Sequence, residues 1–303
     1  MSYSGIGGQA VMEGVMMKNN EQYAVAVRKP NGEIVVDVKG YRGILADTKV
    51  KKLPFIRGVL NFVDSLMIGM RTLMYSASFY EDENEVKTDK KTDHQRKEAL
   101  ETGITMAVSI AAAIFIFLLI PYFISDFFEE KISSRAVLAV LEGGLRLGIF
   151  LVYILLISRM KDIQRVFMYH GAEHKCINCI EHGMELNVEN VKKSSRLHKR
   201  CGTSFLFLVM CISILFFFFI QMDSGIMRII VRLLLVPVIA GCAYEFIRLA
   251  GRSENALVVF FSKPGMALQK LTTGEPDDAM IEVAIASVEA VFDWRAFLKE
   301  TSG

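Results

Sequence analysis

The distribution of apolar and polar positions divides this chain into a hydrophobic middle and two more polar flanks. Four predominantly apolar runs of about 20 residues, the length that crosses a hydrocarbon core of roughly 30 Å, occupy 104–123, 136–158, 203–221 and 227–249. They predict four transmembrane helices. Ahead of them, Tyr23-Ala24-Val25-Ala26-Val27-Arg28 and Ile34-Val35-Val36-Asp37-Val38 flank Lys29-Pro30-Asn31-Gly32. A proline followed by Asn-Gly between two Val-rich runs predicts a β-hairpin. Over 54–78 the period becomes helical: Phe55, Val59, Phe62, Val63, Leu66, Met70, Leu73 and Ala77 share a stripe, with Arg57, Asn61, Asp64 and Arg71 mostly opposite. That pattern predicts an amphipathic helix lying in the membrane interface or packed on the bundle. Residues 80–97 are almost wholly polar and read as a solvated linker, in which His94 is given no role. After the fourth run, 255–261 is apolar but too short to cross a bilayer, so it is re-entrant or buried. Pro276-Asp277-Asp278 then caps a final amphipathic helix over 279–299.

The fold class this predicts is mainly α and membrane-bound. A β-rich cytoplasmic region over 1–50 precedes the amphipathic interfacial helix 54–78 and a polar linker, 80–99. A four-helix membrane domain over 104–250, with a cytoplasmic loop at 159–202, is followed by a C-terminal cytoplasmic region, 251–303. Composition agrees: 52% of the 303 residues are hydrophobic and only 22% charged, too apolar for an ordinary soluble protein. The first residues are small and polar, so no secretory signal is expected. Lysines and arginines crowd 159–200, whereas 126–135 is balanced and 221–226 has no positive residue. Positive loops stay on the cytoplasmic side, which puts both termini and the 159–200 loop there and the two short loops outside. A net charge of +2 gives no reason to invoke nucleic acid. The partners expected are the lipid bilayer and, within it, a protein partner or a second copy.

Cys176, Cys179, Cys201, Cys211 and Cys242 all fall on the cytoplasmic side or within the apolar runs, and an odd count there argues against a disulfide framework. Cys176-Ile177-Asn178-Cys179 has the spacing of a redox or zinc pair but lacks a strand-helix context of the thioredoxin kind. Near the N-terminus, 5–18 mixes glycines with Met12, Met16 and Met17. It lacks the Gly-Lys-Ser/Thr ending of a phosphate loop, so the methionines read as adaptable packing. Glu142 and Arg146, one turn apart in the second run, are ionisable groups at membrane depth with the spacing to neutralise one another.

The chemistry concentrates in Tyr169-His170-Gly171-Ala172-Glu173-His174-Lys175. On a helix, His170 and His174 stack on one face and can share a metal ion. The order His-x-x-Glu-His is that of the inverted zincin motif, in which the histidines bind zinc and the glutamate, here Glu173, polarises a water molecule. A second pair, His198 and Cys201, lies one turn apart where the chain enters the third run. If His170 and His174 end the helix that leaves the second run, hairpin geometry brings both pairs together at the cytoplasmic surface. His170, His174, His198 and Cys201 then form a zinc set. Four ligands would close the sphere and make the site structural; three plus water, beside Glu173, would make it catalytic. Glu181, Glu245 and Glu275 are further carboxylates able to supply an oxygen ligand.

Over nearly its whole length the chain resembles the bacterial domain-of-unknown-function family 1385, the YqhQ-like membrane proteins. The resemblance rests on Gly8-Gln9-Ala10-Val11-Met12-Glu13-Gly14-Val15-Met16-Met17, His170-Gly171-Ala172-Glu173-His174-Lys175, Arg200-Cys201-Gly202-Thr203-Ser204-Phe205, Tyr244-Glu245, and Leu271-Thr272-Thr273 with Glu275-Pro276. It implies a membrane protein with metal-dependent enzyme activity and names no substrate. Where the family often carries His-Pro-Arg-Cys-Gly, this chain has His198-Lys199-Arg200-Cys201-Gly202, which keeps both potential ligands. Two function classes are open at this point. One is a membrane-embedded, hydrolase-like metalloenzyme with Glu173 as general base. The other is a non-catalytic accessory, scaffold or conduit protein whose metal, if any, is a structural clip.

Overall fold

The structure, a computed structural model, describes residues 2–80, 91–220 and 225–301. The chain divides into two compact units. The first comprises Met1–Tyr80, Ile154–Val209 and Pro237–Gly303, the second Glu81–Tyr153 and Met210–Val236.

In the first unit the N-terminal region is a four-stranded antiparallel meander in the order β1-β2-β3-β4: Gly7–Val11, Gly14–Asn19, Gln22–Arg28 and Ile34–Gly40. The expected hairpin is β3-β4, with Arg28 opposite Ile34. The Gly/Met stretch supplies two more strands, a difference from the sequence reading. Its glycines hide the alternation, but alternation is present once the pairing is known. Val15 and Met17 of β2 with Ala26 of β3 join one core, while Met16, Tyr23, Val25 and Val27 join the other. Period-2 side chains buried on both faces make β2 and β3 the internal strands of the sheet, while β4 is largely exposed.

One face packs on α1, Ile56–Ala77, through Ile68. This helix covers nearly the expected 54–78, and its polar side is the one that meets the protein. Its buried stripe is Gly58, Asp64, Ile68, Thr72 and Ser76, whereas Leu66, Leu73 and Met74 are exposed. The polar stripe goes inside because the sheet offers it partners. Gln9 Nε2 donates to Thr72 Oγ1 (3.0 Å) and the Met12 amide to Ser76 Oγ (3.1 Å). Asp64 accepts from the Tyr41 hydroxyl, the Ile44 amide and Lys51. A buried carboxylate is tolerable only when so satisfied.

Next come α2, Lys91–Ile114, and, after a π turn over Phe115–Leu119, α3, Ile120–Phe127. The acidic part of the expected linker, 81–90, lies outside the described residues, and beyond it the polar sequence is already helical. Then follow α4, Arg135–Ile157; α5, Lys161–Glu181; α6, Val188–Lys193; α7, Gly202–Phe219; and α8, Gly225–Ala250. Gly103–Phe127, Arg135–Ile157, Gly202–Phe219 and Gly225–Ala250 are long and apolar enough to cross a membrane.

The C-terminal part is α9, Ala256–Thr272; α10, Asp278–Glu289; and α11, Trp294–Thr301. The 255–261 stretch is the start of α9, which runs on through Pro264. The expected helix 279–299 is two helices, since Asp293 Oδ1 accepts the Ala296 amide (3.0 Å) and starts a new one. Asp277 caps α10 through the Met280 amide (2.8 Å). Met280, Ile281, Val283, Ala284 and Val288 of α10 fill the core between the sheet and α5. Small Ala24 and Ala26 let α10 approach closely enough for Ser287 Oγ to reach the Ala24 carbonyl (3.1 Å).

Within the second unit, Arg146 Nη2 donates to Glu142 Oε1 (2.9 Å), the expected pair. A third member joins it: Arg232 Nη2 donates to Glu142 Oε2 (2.6 Å). Arg146 also donates to Ser213 Oγ (2.8 Å) and the Phe117 carbonyl (2.9 Å).

Candidate metal centre

The 159–202 segment is largely helical, and His170 and His174 do not end the helix that leaves the second run. That helix stops at Ile157, Met160 is extended, and α5 starts afresh at Lys161. Gln164 Nε2 takes up the Ser158 carbonyl freed at the break (3.1 Å). From Tyr169 to Glu181, all of α5 except His170 is buried against the core. The histidine motif therefore stands on a rigid rod whose opposite side carries Ala172, Cys176 and Cys179 into the hydrophobic core.

Lashing between α5 and the segment after α6 positions the second half of the site. Lys175 Nζ donates to the Lys192 and Ser194 carbonyls, both at 2.9 Å. Asn178 Nδ2 donates to the Ser195 (2.6 Å) and Leu197 (3.0 Å) carbonyls. From the other side, Gln269 of α9 clamps the backbone of His198. Its Oε1 accepts the His198 amide (2.8 Å), and its Nε2 donates to the His198 carbonyl (2.7 Å) and Ser204 Oγ (2.8 Å). Cys201 is delivered by this doubly held loop. Sequence reading missed Lys175, Asn178 and Gln269; Asn178 stands one helical turn, four residues, after His174, whereas nothing in the sequence marks Gln269.

One ligand atom each from His170, His174 and Cys201 lies within 4.8 Å of the others. His170 Nε2 is 3.3 Å from Cys201 Sγ. Each histidine is oriented by its other nitrogen: His170 Nδ1 is 2.9 Å from the Thr272 carbonyl and His174 Nδ1 2.7 Å from the Arg196 carbonyl. A carbonyl only accepts, so both Nδ1 atoms carry protons and both Nε2 atoms are left to the cluster. Glu173 Oε2 sits 3.9 Å from His170 Nε2 and 3.7 Å from His174 Nε2. The cluster opens on a cavity of about 100 Å³, walled by Ile6, Gly7 and Gly8 at the start of the sheet. A Cβ on Gly8 would stand 2.9 Å from Glu173 Cγ, so glycine there lets β1 cover the carboxylate.

The electrostatics are those of a charge-separated pocket. Burial alone would lower the His170 imidazole, but Cys201, Glu173 and the Thr272 carbonyl lift it to about 9. His174, which burial would also lower, is raised by Glu173 and Cys201. Burial would raise the Cys201 thiol, yet His170 and His174 hold it well below the ordinary thiol value. Once a cation displaces the Nε2 protons, two imidazoles, a thiolate and an adjacent carboxylate would offer it two negative charges, which matches a divalent ion.

His198 is placed differently. Its ring centroid is 5.7 Å from that of His174, and Nε2 faces Glu181 Oε2 at 3.4 Å. Burial lowers its imidazole below the usual value despite Glu181. Glu181 itself would be raised by burial but is brought down to about 2 by His198, Arg200 and Ser4, whose amide (2.9 Å) and hydroxyl (2.7 Å) both donate to Oε1. Glu245 pairs with Arg57, and Glu275 with Lys175 (2.9 Å). None of these three carboxylates joins the His170-His174-Cys201 group. Cys176 and Cys179 lie in the core, where burial pushes both thiols up, Cys179 to about 11. They pack as small apolar groups.

Similarity to known proteins now bears on this arrangement. The chain is 34% identical over 295 residues to the uncharacterized protein YqhQ of Bacillus subtilis (strain 168), an alignment covering 93% of this chain and 90% of that protein. No solved structure matches it. The family model described as protein of unknown function (DUF1385) matches residues 53–294, a span that includes both histidines, Glu173 and Cys201. This chain belongs to the DUF1385 family.

Proposed function

We propose that this chain is a multi-pass membrane protein that holds a divalent metal, zinc by ligand type, on His170, His174 and Cys201, and uses it in a hydrolytic reaction at the cytoplasmic face. The convergence of two fixed imidazoles and one Sγ, one ligand atom from each within 4.8 Å of the others, carries the reading. Three protein ligands leave a coordination position open, the arrangement of catalytic rather than structural zinc sites. A metal there supplies a Lewis acid. Glu173, next to both imidazoles and outside the ligand group, accepts a proton from the attacking water and returns it to the leaving group. Thr272 and Arg196, through their carbonyls, hold the imidazoles in the ligating tautomer. Lipid contact is supported by the four apolar helices, on which large side chains such as Val108, Val140, Leu215 and Leu234 are exposed.

Elemental analysis of the full chain purified in neutral detergent tests this. About one zinc per chain is expected. Glu173→Gln should keep it, because the carboxylate acts on water, and His174→Ala should lose it. Cobalt substitution should give thiolate-to-cobalt charge-transfer absorption that disappears in Cys201→Ser. Protein that takes up no metal under any of these conditions would overturn the reading.

A further inference from the structure

Beside the cluster lies a larger cavity of about 530 Å³, within the range of small-molecule sites. Ile6, Gly7, Gly8 and Arg200 line both this cavity and the smaller one that holds His170, His174 and Cys201, so the two share a wall. A Cβ on Gly7 would meet nothing within 4 Å, so no side chain crowds the shared wall there.

The charge of the larger cavity is one-sided. Lys18, Arg200, Arg248 and Arg252 line it, and no aspartate or glutamate does. Two of these cations are engaged from behind: Arg200 by Glu181, and Arg248 by Glu245 at 3.9 Å, a carboxylate already held by Arg57. Among the described residues, Lys18 and Arg252 make no ion pair. Burial pulls the Lys18 ammonium below its ordinary value, only partly offset by Asp64. The guanidiniums of Arg200 and Arg252 both lie over the Tyr3 ring, 4.4 and 4.9 Å from its centroid, which brings them together on one side of the cavity. Paired guanidiniums with an ammonium in the same cavity form an oxyanion receptor, and the two cations without an ion pair, Lys18 and Arg252, suit a group that carries up to two negative charges.

We propose that this cavity binds the phosphate group of the substrate and presents the adjoining part of the molecule to the metal centre. The proposal rests on the hydrolytic reading above and names its substrate class: a phosphate-bearing compound, whether a lipid headgroup or a soluble phosphate. Lys18 and Arg252 provide the charges not already neutralised by protein. Arg200, at the shared wall, orients the group relative to Cys201.

The test uses the full chain in neutral detergent, with and without metal removed by chelation. Pyrophosphate is titrated by calorimetry, and short-chain phosphatidic acid is compared with short-chain phosphatidylcholine by native mass spectrometry. Binding of pyrophosphate supports a soluble source; retention of phosphatidic acid but not phosphatidylcholine supports a headgroup. Lys18→Gln combined with Arg252→Gln should weaken whichever binds by at least about tenfold. Lys18→Arg with Arg252→Lys should restore much of the affinity. Metal content measured on the same samples should be unchanged in both. Equal affinity in the double glutamine variant, or no binding of either probe by the wild type, overturns the proposal while a bound metal leaves the hydrolytic reading standing. Phosphate binding that depends on Lys18 and Arg252 in a protein without metal supports the receptor and removes the hydrolytic reading.

Discussion

Glu142 shows how much one residue's role depends on neighbours that are distant in sequence. Read along the helix, it is half of an i,i+4 pair, and deleting both partners should be better tolerated than deleting one. In the structure its two oxygens are divided between Arg146 and Arg232, and all three side chains are buried. Arg146→Ala leaves Glu142 with Arg232, whereas Glu142→Ala strands two guanidiniums in a low-dielectric interior. Breaking a buried charge pair costs about 3–5 kcal/mol. Glu142→Ala is therefore expected to destabilise by about that amount and Arg146→Ala by less. The double replacement should recover little, because Arg232 stays unneutralised. Denaturation in detergent, followed by circular dichroism, orders the three variants; a double variant restored to near wild-type stability would remove Arg232 from the cluster.

At the scale of the element, α5 is what makes the site possible, and its packing against the 273–276 segment sets the position of the Thr272 carbonyl. A Cβ on Gly171 would come within 2.0 Å of the Gly274 carbonyl oxygen, and one on Gly274 within 2.8 Å of Met168 Cγ. The Gly274 amide donates to the Phe167 carbonyl at 2.7 Å, so the contact is already tight. Gly171→Ala should cost about 1–3 kcal/mol by overpacking. It should also weaken metal binding, since displacing this segment moves the Thr272 carbonyl that orients His170. Gly148→Ala, where a Cβ meets nothing within 4 Å, is the helical control and should leave stability unchanged or slightly improved. Thermal melts and metal titrations of the two variants check this; identical behaviour would mean that the crossing yields without cost.

For the whole molecule, the outstanding question is orientation. By the positive-inside rule, the positive residues of 159–200 lead to the expectation that this segment, both termini and the candidate metal centre face the cytoplasm. Native Cys176 and Cys179 are fully buried and would report nothing to an impermeant thiol reagent. Exposed Glu130 and Glu300 are better sites. Glu130→Cys should label in intact cells and Glu300→Cys only after permeabilisation, and the reverse pattern would invert the arrangement. The same topology bears on the inferred substrate, because it would give the metal centre access to phosphate compounds of the cytoplasm and to headgroups of the inner leaflet.

What the sequence determined by itself is whatever is periodic or contiguous. Four apolar runs are legible because a spanning helix must satisfy its own backbone over about 20 residues, which leaves an unbroken signature. His170, Glu173 and His174 are legible for a similar reason, since one helical turn brings i and i+4 together without help from the rest of the chain. The β3-β4 hairpin declared itself through its turn, but β1 and β2 did not, because their pattern has meaning only once a sheet with two covered faces exists. The amphipathic helix α1 was legible in its period, but that its polar side is the one turned to the sheet was decided by the partners that the sheet and the 41–51 segment supply. Tertiary structure alone decided that Cys201 joins the two histidines while His198 turns to Glu181. That choice is made by Lys175, Asn178 and Gln269 gripping the backbone of one loop from two sides. Such side-chain-to-backbone bonds depend on where the chain runs and not on which residues it carries, so they leave no trace in the one-dimensional pattern.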